Sequence, residues 1–136
     1  MLESILQKMA DSRPETQQEG HTMIEKCSFG SMVIDGRKYT SDLKILPNGR
    51  VQDGWLRDKG HRLTWEDIQS LVGLKPDLLV VGTGIYGRMK PAPDLEKRLA
   101  DQGIDLLQAW TKKAAEAFNS ARQRGINAVA CFHLTC

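Results

Sequence analysis

The stretch that most constrains the fold is the apolar run Leu78, Leu79, Val80, Val81 feeding Gly82, Thr83, Gly84 and Gly87. Such a run predicts a buried strand that ends in a tight backbone turn, and the glycine spacing invites a dinucleotide-binding reading. That reading requires a helix to open at the last glycine, so that its free N–H groups meet a pyrophosphate. Here Arg88, Met89, Lys90, Pro91, Ala92 and Pro93 intervene first. The next acidic candidate, Asp105, stands at the start of its strand, too early to meet a ribose. What survives is a glycine loop at the C-terminal end of a strand, the place where open α/β sheets bind ligands. Its candidate ligand-binding residues are Gly82, Thr83, Gly84 and Gly87, with Arg88 and Lys90 supplying positive charge toward a small anion; a purely structural turn is the competing reading.

From residue 77 onward the pattern alternates strand and helix. Strands are predicted over 78–81, 104–109 and 128–134, and helices from Pro93 and Asp94 and over 112–124. Proline at the first helical position suits a helix start, Thr111 is a candidate N-cap, and Gly103 and Gly125 read as C-terminal stops. Short β-α-β units of this kind imply a largely parallel sheet covered by helices. Before it, residues 29–55 read as antiparallel strands over 32–34, 39–45 and 50–55, punctuated by Asp35-Gly36 and Pro47-Asn48-Gly49. A charged loop over 57–62 is expected to be solvated, and Thr64 with Asp67 offers a capping box for a helix through Leu71. Trp55 and Trp65 read as core anchors. Leu2, Ile5, Leu6 and Met9 have helical spacing and precede a polar linker, so residues 1–25 form an arm outside a single domain over 26–136.

Composition narrows the function classes. With 136 residues and 40% apolar content, one core is the expectation. Nineteen basic against 17 acidic side chains leave a formal charge of +2, too small for a global field toward nucleic acid or an anionic membrane. No apolar run approaches the about 20 residues of a membrane span, and a cytoplasmic protein is expected. Cys27, Cys131 and Cys136 are odd in number and none lies in a CxxC, which favours neither disulfides nor a zinc site. His21, His61 and His133 lack metal-ligand spacing. On a strand over 128–134, Cys131 and His133 share a face; packing is the plainer account of the pair, a Cys/His nucleophile the sharper one. Asp42, Asp53, Asp58, Glu66, Asp67, Asp77, Asp94 and Asp105 are scattered, each with a capping, turn or solvation role.

Read in order, Gly82-Thr-Gly84, the proline-rich step into a helix, Gly103-Ile104, Thr111, Ala115, Phe118-Asn119, Gly125 and the terminal Phe132-His-Leu-Thr-Cys136 resemble the adipogenesis-associated domain family. That family includes a mitochondrial respiratory complex I assembly factor. The resemblance covers residues 27–136, and the terminal pentapeptide is close to the Phe-His-Ser-Thr-Cys of the animal cytosolic members. It implies a three-layer α/β domain with an N-terminal antiparallel β-meander added to the central sheet. It implies no established reaction and no cofactor; the better understood members act through protein partners, in assembly or regulation. Two features depart from the pattern: the N-terminal arm, and Arg124 before Gly125 where many members place an arginine after the glycine. A noncatalytic protein-binding factor is therefore the leading expectation, with self-association left open. The alternative is a small-anion binder or an enzyme using the 82–87 loop. Thr111 and Asn119 suit a pocket wall as readily as a helix anchor.

Overall fold

Alternation along the buried strands sets the architecture. In the computed structural model, which describes residues 23–57 and 60–136, Leu78 and Val80 of β7 (Leu78–Gly82) face one core while Leu79 and Val81 face another. The same holds in β10 (Ala128–Phe132), where Ala128, Ala130 and Phe132 oppose Val129 and Cys131. A sheet buried on both faces must be covered on both, which produces three layers.

The central sheet has the order β5-β4-β10-β7-β9, with β4 (Leu43–Ile45), β5 (Val51–Asp53) and β9 (Asp105–Ala109) completing it. β10, β7 and β9 run parallel, whereas β4 and β5 join antiparallel. The sheet is thus parallel in one half and antiparallel in the other. One face carries α1 (Trp65–Val72) and α2 (Leu95–Asp101), which bury Ile68, Leu71, Leu95 and Leu99. On the other face lies α3 (Thr111–Gln123), whose stripe of Ala114, Ala115, Phe118 and Ala121 sits on the small side chains of β10. Beside α3 is a separate antiparallel sheet of β1 (Ile24–Ser28), β2 (Ser31–Ile34) and β3 (Arg37–Tyr39). A short parallel pair, β6 (Arg62–Leu63) with β8 (Lys90–Pro91), closes one end.

Several local expectations hold. Asp35 and Gly36 have φ of 50° and 83°, the conformation of a two-residue hairpin turn. Asp67 accepts from the Thr64 N–H at 2.8 Å and from its hydroxyl at 2.9 Å, which anchors the start of α1. Gly103 and Gly125 end their helices as read, with Ile104 N–H bonded back to Leu99 and Ile126 N–H to Ala121.

Other expectations are corrected. The strand read over 39–45 is two strands in different sheets, because the chain turns at residues 40–42 to send the Asp42 carboxylate inward. The last strand stops at Phe132, and residues 133–136 leave the sheet. Thr111 is the first helical residue and Trp110 holds the cap position, because the Thr111 hydroxyl is used elsewhere. β1 was not expected, since only Ile24 and Cys27 supply apolar side chains to it. The arm over residues 1–22 and Asp58 lie outside the described residues.

Candidate functional site

The three parallel strands end together, and the segments leaving them meet at one point. After β7 comes Thr83-Gly84, after β9 comes Trp110-Thr111, and after β10 comes His133-Leu134. Thr111 ties the three together: its N–H donates to the Gly84 carbonyl at 2.9 Å. Its hydroxyl accepts the Gly84 N–H at 2.8 Å and donates to the His133 carbonyl at 2.7 Å. A threonine that opens a helix has a free hydroxyl to spend, and this one replaces the sheet ladder where the strands separate.

The glycine loop is packed against the chain's own last residues. Ile85 N–H donates to Thr135 and Arg88 N–H to Cys136, each at 2.7 Å, while Thr83 N–H donates to Ala109 at 2.9 Å. Gly87, Met89 and Lys90 N–H donate to Gly84, Thr83 and His61. An anion cradle needs convergent unpaired N–H groups, and these seven, counting Gly84, already have partners within the chain. Gly84 has φ of 114°, and a Cβ there would strike the backbone of Cys136. A Cβ on Gly87 would strike the Trp110 indole, and one on Gly82 the Phe132 ring and the Thr111 hydroxyl. The glycines permit close approach of backbone to backbone and to rings, a packing requirement.

Of the remaining residues singled out, Arg88 and Lys90 present exposed side chains beside the loop. Asn119 lies away from it, one face along α3. Its amide accepts the Ile24 N–H at 2.9 Å and donates to the Ile24 carbonyl at 2.8 Å, fastening β1 to the helix. The structure therefore brings together Gly82, Thr83, Gly84, Gly87 and Thr111, flanks them with Arg88 and Lys90, and leaves Asn119 outside.

Beside the loop lies a buried polar network that the sequence did not announce. Asp42 Oδ2 accepts from Arg57 at 2.8 Å and from His133 Nδ1 at 2.7 Å, and Oδ1 accepts the Leu134 N–H at 2.8 Å. Burial pushes the Asp42 carboxyl up, but the hydrogen bonds from His133, Leu134 and Arg57 outweigh it and hold the group below the usual carboxylate range. An ionised carboxylate only accepts, so the hydrogen sits on His133 Nδ1 and Nε2 carries the lone pair in the neutral ring. Arg57 Nη2, 3.1 Å from that same Nδ1, is then a packing contact. The Thr135 hydroxyl is 3.4 Å from Nε2, and the His61 ring stands edge-on at 5.5 Å. Arg57, expected in a solvated loop, is 5% exposed at its side chain and also donates to the Gly60 carbonyl at 2.8 Å. Asp42, expected in a turn or solvation role, is the hub.

His133 thus takes Asp42 as its partner, where a pairing with Cys131 was read. The Cys131 thiol is wholly buried in the core under α1 and α2 and pushed up to about 12 by that burial. It stays protonated near neutral pH, which is the reverse of what a nucleophile needs. Cys27, Cys131 and Cys136 are all free thiols. Trp55 is a core residue as expected, while Trp65 is half-buried with the Arg98 guanidinium 4.3 Å from its ring. Among the described residues no group of three or more His, Cys, Asp or Glu side chains is placed to share a metal ion. No helix among them is long and apolar enough to cross a membrane.

The outer surface of this platform is aromatic. Phe29 is 55% exposed, Tyr86 59% and Trp110 60%. The Phe29 and Tyr86 rings are 5.8 Å apart and tilted by 40°, and the Trp110 indole lies against Gly87, next to Tyr86.

Residues 24–133 match the model of a protein family described as of unknown function, DUF498/DUF598. The chain belongs to that family. Its fold recurs in a conserved hypothetical protein, PH1505, of Pyrococcus horikoshii, 28% identical, with a TM-score of 0.74 over 83% of this chain and 98% of that one. The protein MT938 is 25% identical, with a TM-score of 0.72 over 85% of this chain and 99% of that one. A Bordetella pertussis protein described as an Mth938-like domain is 16% identical at a TM-score of 0.64, covering 90% of each chain, and shares the fold alone. These proteins of the same fold are therefore nearly coextensive with the domain described here.

Proposed function

We propose that the chain is a noncatalytic protein-binding factor, of the kind that serves assembly or regulation of a larger complex, and that it receives its partner on the Phe29–Tyr86–Trp110 rim. The observation that carries this reading is a set of three exposed aromatic side chains, Phe29 beside Tyr86 and Trp110 against the neighbouring Gly87, on a loop whose N–H groups named above are engaged within the chain. Exposed aromatic clusters beside a rigid scaffold are the composition of interface anchors, because a large ring with few rotatable bonds buries much area at little entropic cost. A small-anion site on the 82–87 loop rests on the exposed side chains of Arg88 and Lys90, since the N–H groups named above are engaged within the chain. The inertness of Cys131 and the enclosure of His133 also support a binding role.

A photoreactive phenylalanine analogue placed at Phe29 in the full chain, expressed in its native cells, tests the proposal. The expected result is a discrete heteromeric crosslink that the same group at exposed Lys97 does not give. Crosslinks only to a second copy, or none beyond those at Lys97, would remove the partner reading.

A further inference from the structure

The charge around the rim is one-sided, and this says what kind of partner fits. Segments 26–33, 83–92 and 108–115 carry Phe29, Tyr86 and Trp110 and contain Lys26, Arg88, Lys90, Lys112 and Lys113, with no Asp or Glu. In a chain with nearly balanced charge this is a local asymmetry. It is sharpest at α3, whose first turn holds Lys112 and Lys113 and no acid. Cations at a helix N-terminus oppose the helix dipole, so this arrangement is unfavourable for the isolated domain and favourable for an incoming carboxylate. All five basic side chains belong to exposed residues.

A groove of about 220 Å³ lies between β1 and α3, with Lys26, Lys112, Cys27 and Ala115 among its lining. Burial pushes the Cys27 thiol up, and nearby Lys112, which lines the same groove, opposes it. Glu25 and Glu116 line the groove as well, Glu25 turned to the Gly36 N–H at 2.6 Å, so the groove itself is balanced in charge and the basic excess lies on the rim side, at Arg88, Lys90 and Lys113.

Resting on the protein-binding reading above, we propose that the partner presents an acidic peptide segment. Its carboxylates lie over Arg88, Lys112 and Lys113, and an aromatic or large aliphatic side chain packs on Tyr86 and Trp110. Charge complementarity of this kind steers encounter and fixes orientation, while the apolar anchor supplies most of the affinity. A single-stranded nucleic acid would also meet basic and aromatic groups, but it needs open ring faces for stacking. Phe29 and Tyr86 lean on each other at 5.8 Å, which leaves Tyr86 and Trp110 to take one apolar side chain rather than a row of successive bases.

Selection of short random peptides on the immobilised full chain tests this, with the Tyr86→Ala/Trp110→Ala variant for comparison and an oligothymidine as the nucleic-acid probe. Enriched peptides are expected to place Asp or Glu beside one large apolar residue, to depend on both rings, and to bind about tenfold more weakly to Lys112→Glu/Lys113→Glu. Acids suit the first turn of a helix, so that double variant keeps its fold and the loss reads charge alone. A neutral or basic consensus that still requires Tyr86 and Trp110 would leave the rim a protein-binding surface and overturn the acidic partner. No enrichment dependent on the rings would overturn both readings. Oligothymidine binding that exceeds the peptides and vanishes in the ring variant would make the surface a nucleic-acid site.

Discussion

The Asp42–Arg57–His133 network and the Phe29–Tyr86–Trp110 rim stand at the same end of the sheet, joined through the residues 133–136 that pack on the glycine loop, yet they are built on opposite terms. In the network, Asp42 alone meets three donors, and Thr111 bonds the ends of three strands to one another. In the rim, large rings are left more than half exposed. A buried polar network is over-determined because each unmet group would cost the fold, whereas exposed rings cost little alone and gain most when a second molecule covers them. The contrast separates what holds the platform together from the surface proposed above to receive a partner. Substitutions should divide accordingly, into those that unfold without touching binding and those that abolish binding without unfolding.

The largest effect is expected at Gly84. Valine there would combine a positive φ that a β-branched residue rarely adopts with a collision against the Cys136 backbone. Strain of about 1–3 kcal/mol and overpacking of a further 1–3 kcal/mol or so together approach the whole stability of a small domain, so Gly84→Val should fail to fold or melt far below the wild type. A variant that melts within a few degrees of wild type would show that the loop can move off the terminal segment, and the platform would not be rigid.

Asp42→Asn comes next. It leaves the Arg57 guanidinium, 5% exposed at its side chain, without its counter-charge, and breaking one partner of a buried pair costs about 3 kcal/mol or more. A pH dependence arises from the same group. The folded-state pKa of Asp42 is depressed, so its contribution is fully present above the ordinary carboxylate range near about 4 and is lost as pH falls through the lower folded value. Denaturant unfolding at neutral pH and in acid should show the wild type losing stability on acidification by more than Asp42→Asn does. Equal losses would mean that the carboxylate is not held by these bonds.

The parallel half of the fold was legible because its signals are local: continuous apolar runs in β7 and β10, and helix stops at Gly103 and Gly125. The network was not legible, since Asp42, Arg57 and His133 are brought together across 91 positions of chain by a strand break that looks, in sequence, like a continuous strand from Tyr39 to Ile45. The run Thr40-Ser41-Asp42 is the one local mark of the break, since such residues favour turns, but nothing local shows that Asp42 there meets the distant pair Arg57 and His133. The glycine loop was legible but the partners of its N–H groups were not: those of Ile85 and Arg88, Thr135 and Cys136, lie some fifty residues away, and those of Thr83, Gly84 and Lys90 are in other segments as well. The rim escaped notice for a related reason: Phe29, Tyr86 and Trp110 are single aromatics in unrelated segments until the sheet collects them. Thr111 was read as a cap and is a junction, a difference of one residue in helix start that decides what its hydroxyl meets.

The smallest effect on stability belongs to the rim itself. Tyr86→Ala and Trp110→Ala remove side chains that are 59% and 60% exposed, and exposed substitutions away from buried features stay within about 0.5 kcal/mol. Trp110 does lie against Gly87, so its removal should cost somewhat more than that of Tyr86, on the order of 1 kcal/mol for the lost contact. Thermal unfolding of the double variant should therefore stay close to wild type while partner capture through the rim is lost. A steep loss of stability would mean that the rings close the loop rather than face a partner, and the distinction between platform and surface would collapse. Retention of both stability and capture would move the interface elsewhere and leave the three rings as scattered surface apolar groups, which folded proteins commonly carry.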